Sequence, residues 1–383
     1  MIEQISKKVD GYDEDMISLL EKLVSIDSGC DNPEGIDKVA HIVGDVLSSI
    51  GFKVEYLENQ GICTHVIARK EGKKKKNAMV IGHIDTVFSK GTAAKRPFTI
   101  KDGKAYGPGV LDMKGGVVIA LSALKALHDL DWNKKNITVF FCGDEESGHP
   151  VLNTPELFIR EAKDKDAVFN METGSDDGAV VVGRKGAIYP NMTIKGIDVH
   201  AGKDPQKGAS AVLELANKVV DLHNLTDYQS GITYNVGVIK GGTVANSVAG
   251  EAHAKIDIRF KTCEQGEKVL NDLRKVAEKT YVKGTHTTIS HEKISFMPME
   301  KTEKGMELFK IVQEQGRKLG IEPEIKPIFV GGSSDSCWST MAGVPTVCAM
   351  GARGELNHGE NEYIQVYSLN ERAKLLASSI VAF

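Results

Sequence analysis

The sequence predicts an α/β protein: a mainly parallel, helix-covered sheet interrupted by an inserted two-layer α+β domain. Apolar, β-rich runs alternate with amphipathic helical periods over residues 1–185 and again over 298–383, the pattern of βαβ units. Between them, residues 186–297 change to a β-α-β-β-α order, the makings of a small lid. The length of 383 residues leaves room for two or three folding units at roughly 150 residues each. With 41% hydrophobic and 26% charged residues, the composition excludes a disordered chain, a collagen-like repeat and a coiled-coil rod.

Taken in order, Asp13–Ile26 sets Met16, Leu19, Leu20, Leu23 and Val24 at helical spacing, and Gly35–Ile50 repeats the pattern before Gly51. Short β-rich runs at Lys53–Leu57, His65–Ala68 and Ala78–Ile84 predict strands. A helix over Lys114–Leu130 then leads to a strand at Ile137–Cys142, and a helix over Thr154–Ala162 to a strand at Ala167–Met171. In the insert the pattern predicts a strand over Ala187–Ile194, a helix over Ala209–His223, strands at Ile232–Ile239 and Ala252–Phe260, and a helix over Glu264–Tyr281. The main domain resumes with a helix over Lys304–Leu319, short strands at Glu324–Val330 and Pro345–Met350, and a last helix near Val366–Ala382.

Lysine and arginine total 48 against 52 acidic residues, a net charge of -4, so nothing draws the chain to nucleic acid or anionic membrane in general. Met1–Asp15 mixes charges without an apolar core, and the most apolar helical stretch, Gly115–Leu127, is too short to span lipid; a cytoplasmic protein is expected. Six cysteines without a CxxC spacing argue for reduced, mostly buried thiols and against a structural zinc knuckle. Any metal would be held by oxygen and nitrogen.

The chemistry-bearing residues fall where strands end. The run Met79–Asp85 closes an apolar strand with His83 and Asp85, which point the same way because strand side chains repeat every second residue. A Gly/Pro-rich turn, Ala105–Gly109, brings Asp112 to the mouth of a helix; Asp144, Glu145 and Glu146 follow a buried strand; Glu172 follows another; and His358 comes after the strand near Val347. Singly, these read as a capped loop histidine, a helix N-cap, an exposed acidic loop and surface residues. Jointly they form the nitrogen and oxygen set expected for two zinc-like ions with an open position.

The ordered segments Gly82–Val87, Tyr106–Gly109 with Asp112–Gly116, Asp144–Glu146, Val199–Gly202 and Asn357–His358 resemble the motif set of the di-zinc exopeptidase family. That family contains glutamate carboxypeptidase, aminoacylase, acetylornithine deacetylase and succinyl-diaminopimelate desuccinylase. Lys90–Thr92 with Lys95–Phe98 and Lys104–Gly109 is most similar to the bacterial glutamate carboxypeptidase branch acting on folate-type substrates. The resemblance implies a catalytic domain of the zinc exopeptidase type, formed by residues 1–185 and 298–383, with residues 186–297 as a lid and dimerisation domain. It also implies two zinc ions per subunit, with cobalt or manganese as substitutes: His83 on one ion, His358 on the other, Asp112 bridging, Glu146 and Glu172 each completing one shell.

By the same resemblance Asp85 orients His83, and Glu145 is the general base for a water bridging the metals. His200 would stabilise the oxyanion, reaching into the partner subunit's site. Asn246 and Arg259 would hold the substrate carboxylate, Arg259 through a planar, bidentate guanidinium. Gly332 and Ser333, between a strand and a short helix, are candidates to receive a carboxylate on their backbone N–H groups. Two departures bear on specificity: Ser333 and Ser334 stand where relatives often have Thr-Asp, and His291-Glu292-Lys293 stands where folate-hydrolysing members carry arginines. The expected reaction removes a C-terminal residue, glutamate favoured, from a small peptide or N-acyl amino acid; the alternative is a deacylase of N-acetyl or N-succinyl amino acids. No nucleic-acid or membrane partner is expected, and a homodimer through the lid is.

Overall fold

The computed structural model describes residues 1–59, 61, 63–73, 75–149 and 153–383. They divide into two compact units: residues 1–183, 301–329 and 334–383 form the first, and residues 184–300 with 330–333 the second.

In the first unit, helices α1 (Ile2–Asp10), α2 (Asp13–Val24) and α3 (Pro33–Ser49) precede strands β1 (Lys53–Asn59), β2 (Cys63–Lys70) and β3 (Asn77–His83). Helix α4 (Gly115–Asp129), strand β4 (Asn136–Cys142), helix α5 (Thr154–Ala162) and strand β5 (Ala167–Asn170) follow. These strands build a six-stranded sheet in the order β1, β2, β4, β3, β5 and the short strand Thr346–Val347. Strands β4, β3, β5 and Thr346–Val347 run parallel. Strands β1 and β2 join them antiparallel, so the sheet is mixed at one edge. Ala78–Ile81 of β3 are fully buried, as a strand covered on both faces requires. Helix α4 is a core helix for most of its length, with Val117–Ala120 and Ala123 wholly buried, and turns polar only near its end, where Lys125 pairs with Asp129. A second sheet of very short strands links Thr99–Lys101, Lys104–Tyr106, Tyr363–Gln365, Arg353–Glu355 and Gly174–Ser175.

In the second unit, strands β6 (Gly186–Ile188), β7 (Asn191–Lys195), β8 (Thr233–Gly241), β9 (Glu251–Phe260) and β10 (His286–Ser290) form one antiparallel sheet centred on β9. The single strand expected over Ala187–Ile194 is two, broken at Pro190, which has no N–H for the ladder. Helices α6 (Ala211–Asn224) and α7 (Cys263–Glu278) bury Leu215, Leu222, Val269 and Leu273 against the alternate residues Ala252, Ala254, Ile256 and Ile258 of β9. Helix α7 starts with a capping box, Thr262 with Gln265. Beneath it Lys218 and Glu214, both buried, pair at 3.1 Å, and the lysine also donates to the carbonyls of Val276 and Ala277 at the end of α7.

Back in the first unit, helices α8 (Glu303–Leu319), α9 (Ser336–Met341) and α10 (Tyr367–Ala382) complete the chain, α10 packing on α4 and α1. Among the described residues no helix is long and apolar enough to cross a membrane.

Candidate metal centre

The parallel register aligns three strand ends. His83 of β3 lies opposite Cys142 of β4, and Ile81 opposite Asn170 of β5, so His83, the loop Asp144–Glu146 and Glu172 leave the sheet along one edge. Open α/β sheets bind their ligands at this carboxyl edge. Asp112 arrives from another direction, in the irregular turn before α4, and does not cap that helix with its side chain. Gly109, three residues earlier, has φ 73°, and a Cβ there would meet Thr86 Cγ2 at 2.5 Å, so the turn needs glycine.

Asp112 is the hub. Its Oδ1 lies 3.1 Å from His83 Nε2, and its Oδ2 3.1 Å from His358 Nε2. Glu172 Oε1 is 3.6 Å from His83 Nε2, and Glu146 Oε1 is 3.5 Å from His358 Nε2. The ligand atoms therefore fall into two groups, His83 with Asp112 and Glu172, and Asp112 with Glu146 and His358, each within 4.8 Å. Asn357 Nδ2 donates to Asp112 Oδ2 at 3.1 Å. Asp85 Oδ1 lies 3.3 Å from His83 Nδ1, and the same carboxylate accepts the backbone N–H groups of Glu145 at 3.3 Å and Glu146 at 2.9 Å.

The electrostatics of this cluster call for cations. Burial raises the Glu145 carboxyl well above the usual range; His83 opposes this, while Glu172, Asp335 and Glu146 push the same way. Burial opposes a charge on His83, yet its bonds to Asp112 and Asp85 raise its pKa well above the ordinary value. His358, bonded to Asp112 and close to Glu146, is raised to about 10. Burial also works against the charge of Asp112, which the two histidines and Asn357 hold well below the usual carboxylate range. Glu146 Oε1 is buried and makes no hydrogen bond. An unsatisfied buried carboxylate oxygen, grouped with another carboxylate and an imidazole nitrogen, suits a divalent ion bound by nitrogen and oxygen.

Several residues here escaped the sequence reading. Glu362, 1% exposed, accepts the backbone N–H groups of Gly109 at 3.0 Å and of Leu111 and Asp112 at 2.8 Å each, fixing the turn that presents Asp112. Burial, against the pull of those N–H groups, pushes its carboxyl up to about 7. Lys114, fully buried and brought down to about 7 by desolvation, donates to the Ile26 carbonyl at 2.7 Å.

The remaining sequence candidates lie in the second unit. His200 and Asn246 are on neighbouring segments: the Ala201 N–H donates to the Asn246 carbonyl at 2.9 Å, and His200 bridges to Ser247. Both are exposed. Arg259 is engaged with Asp257 at 2.6 Å and 2.9 Å and lies over the Tyr189 ring. The Gly332 carbonyl accepts from Arg184 at 3.2 Å, and the Ser333 hydroxyl donates to the Lys185 carbonyl at 2.9 Å.

Residues 79–382 match the family described as peptidase family M20/M25/M40. The chain belongs to that family. It is 29% identical over 374 residues to carboxypeptidase G2 of Pseudomonas sp. (strain RS-16), covering 96% of this chain and 88% of the relative. It is 25% identical over 380 residues to a succinyl-diaminopimelate desuccinylase of Nitrosomonas eutropha, covering 94% and 96%. Among solved structures, aminopeptidase PepT of Bacillus cereus superposes with a TM-score of 0.80 at 22% identity, covering 96% of this chain and 98% of that one. A metallo-carboxypeptidase of Sulfolobus solfataricus gives 0.76 at 20%, covering 96% and 98%. The peptidase M20/M25/M40 chain is thus a metal-dependent hydrolase with a zinc-exopeptidase α/β fold.

Proposed function

We propose that this M20/M25/M40 enzyme is an exopeptidase that hydrolyses the C-terminal amide bond of a small peptide or N-acyl amino acid, with glutamate the favoured leaving residue. The carrying observation is the pair of ligand groups sharing Asp112, with Glu145 within 4.8 Å of His83 and Glu146. His83, Asp112 and Glu172 would hold one ion and Asp112, Glu146 and His358 the other, zinc favoured over cobalt or manganese. Two such ions supply Lewis-acid polarisation and lower the pKa of a water to ~7. Glu145, beside the ligand Glu146 but in neither ligand group that shares Asp112, takes the proton from the attacking water and returns it to the departing amine. Asp85 keeps the imidazole of His83 in one tautomer and orientation.

From the second unit, His200 would donate to the oxyanion after lid movement or across a dimer, and Asn246, Arg259, Gly332 and Ser333 would bind the substrate carboxylate. The likeness to carboxypeptidase G2 over 96% of the chain supports cleavage at a C-terminal bond. The likeness to desuccinylases favours a second reading, a deacylase of N-acetyl or N-succinyl amino acids by the same chemistry. A cytoplasmic homodimer is part of the proposal. Strand β8 pairs only with β9 among the described residues and exposes Ile239 at 54%, while α6 exposes Leu213 at 55% and Val220 at 59%.

A product assay with added zinc on folyl-glutamate, dipeptides, and N-acetyl and N-succinyl amino acids tests the substrate. Release of glutamate from folyl-glutamate is expected, and cleavage of the N-succinyl compounds alone would replace the carboxypeptidase reading. Glu145→Ala should abolish turnover with metal content unchanged; near-normal rates would remove Glu145 as the base.

A further inference from the structure

Behind the loop that carries Glu145 and Glu146 lies a buried, charged cluster that the hydrolytic reading leaves unused. His149 sits between two carboxylates: Nδ1 is 2.9 Å from Asp144 Oδ1 and Nε2 is 2.7 Å from Asp335 Oδ1. The three side chains are 2–3% exposed. Trp338 Nε1 and Cys142 Sγ donate to Asp335 at 3.0 Å and 3.1 Å, and Thr154 Oγ1 donates to Asp144 at 2.9 Å. A neutral imidazole has one N–H, so a ring this close to a carboxylate oxygen at each nitrogen donates from both and carries a positive charge. The carboxylates accordingly raise its pKa to about 11 against the opposing effect of burial.

The loop is closed on itself as well. The His149 N–H donates to the Asp144 carbonyl at 3.0 Å, and the Gly148 N–H to the Glu145 carbonyl at 2.8 Å. His149 holds φ at 57°, a left-handed conformation that costs a non-glycine residue about 1 kcal/mol or more and persists where its surroundings enforce it. Stability alone does not account for such a triad, since buried ion pairs are often no better than well-packed apolar residues of the same volume. What it does supply is a fixed place for the loop: Asp85 holds the Glu145 and Glu146 N–H groups from the β3 side, and Asp335, at the start of α9, holds the far end through His149.

We propose that His149 is a positioning residue, an imidazolium brace between Asp144 and Asp335 that sets the base Glu145 and the ligand Glu146 at their working distances. This rests on the reading of Glu146 as a metal ligand. Outer partners of a metal site change metal affinity or activity by roughly 10–100-fold when removed.

The test compares the full chain with His149→Gln, Asp335→Asn and the double variant, each checked for folding by thermal circular dichroism. Co²⁺ alone is the first probe, followed by its visible absorption and binding isotherm; kcat and KM on the cleaved member of the substrate panel come second. The expected result is a roughly 10–100-fold weaker uptake of one Co²⁺ with an altered spectrum, kcat reduced with KM unchanged. The double variant should be no worse than the weaker single one, because the two residues act as a unit. Unchanged Co²⁺ affinity and spectrum, or losses that multiply in the double variant, would overturn the brace. If His149→Gln fails to fold, Asp335→Asn decides. A wild type that binds two Co²⁺ but cleaves nothing in the panel refutes the proposed substrates and leaves the brace to be judged on Co²⁺ affinity; one that binds no Co²⁺ overturns both.

Discussion

Glu362→Ala should destabilise the first unit by about 3 kcal/mol or more even without metal. The side chain is 1% exposed and accepts the N–H groups of Gly109, Leu111 and Asp112 at 3.0, 2.8 and 2.8 Å. A buried donor left without an acceptor costs roughly 1–3 kcal/mol, and three lose theirs together. Glu362→Gln keeps an oxygen for Leu111 and Asp112 but can turn its amide NH2 towards the Gly109 N–H, so a loss of about 1–3 kcal/mol is expected. Both tryptophans, Trp132 and Trp338, belong to this unit, so their fluorescence during urea unfolding in the presence of a chelator reads its stability directly. The conservative variant should fall between wild type and Glu362→Ala. An alanine variant within ~0.5 kcal/mol of wild type would refute the reasoning, since changes that small are typical of surface positions without such contacts.

In the second unit, Lys218→Met leaves Glu214 buried without its cation and the end of α7 without its donor; a loss of about 3–5 kcal/mol is expected, read by calorimetry. The His149 pair bonds give stability that is full below the unfolded histidine pKa of ~6.5 and is lost as pH rises towards the folded value of about 11. The stability gap between wild type and His149→Gln should therefore be widest near pH 6 and shrink by pH 9.5; a gap that grows with pH would contradict the charged ring. Zinc should stabilise the wild type by roughly 2.7 kcal/mol per ion bound at a hundredfold excess over Kd, read as a higher melting temperature, and should leave Asp112→Ala almost unmoved. An equal response in that variant would remove Asp112 from the centre.

The carboxylates and histidines of the candidate centre could be read from the chain because each follows an apolar run, and the end of a buried parallel strand is a legible place. The groups that hold them could not. Glu362 reaches back 250 residues or more to the turn it secures, and His149 meets Asp335 across 186 residues. No local pattern marks either, since each looks like one polar residue in a polar loop. Similar limits applied to the fold. Long periodic helices and β-rich runs stood out, whereas the second sheet of the first unit, with strands of two or three residues, is too short to carry a period. Helix α1 was hidden because its apolar side consists of little more than Ile5 and Val9, packed against α10 amid a run of charges.

Asp85 spends one carboxylate on both His83 and the backbone of Glu145 and Glu146. An amide in its place would present a donor to one side or the other, and could not satisfy the imidazole and both N–H groups at once. The His83 imidazole and the Glu145–Glu146 backbone thus depend on one side chain, although they follow different strands. A single substitution at Asp85 would therefore loosen two strand ends together, the one after β3 and the one after β4.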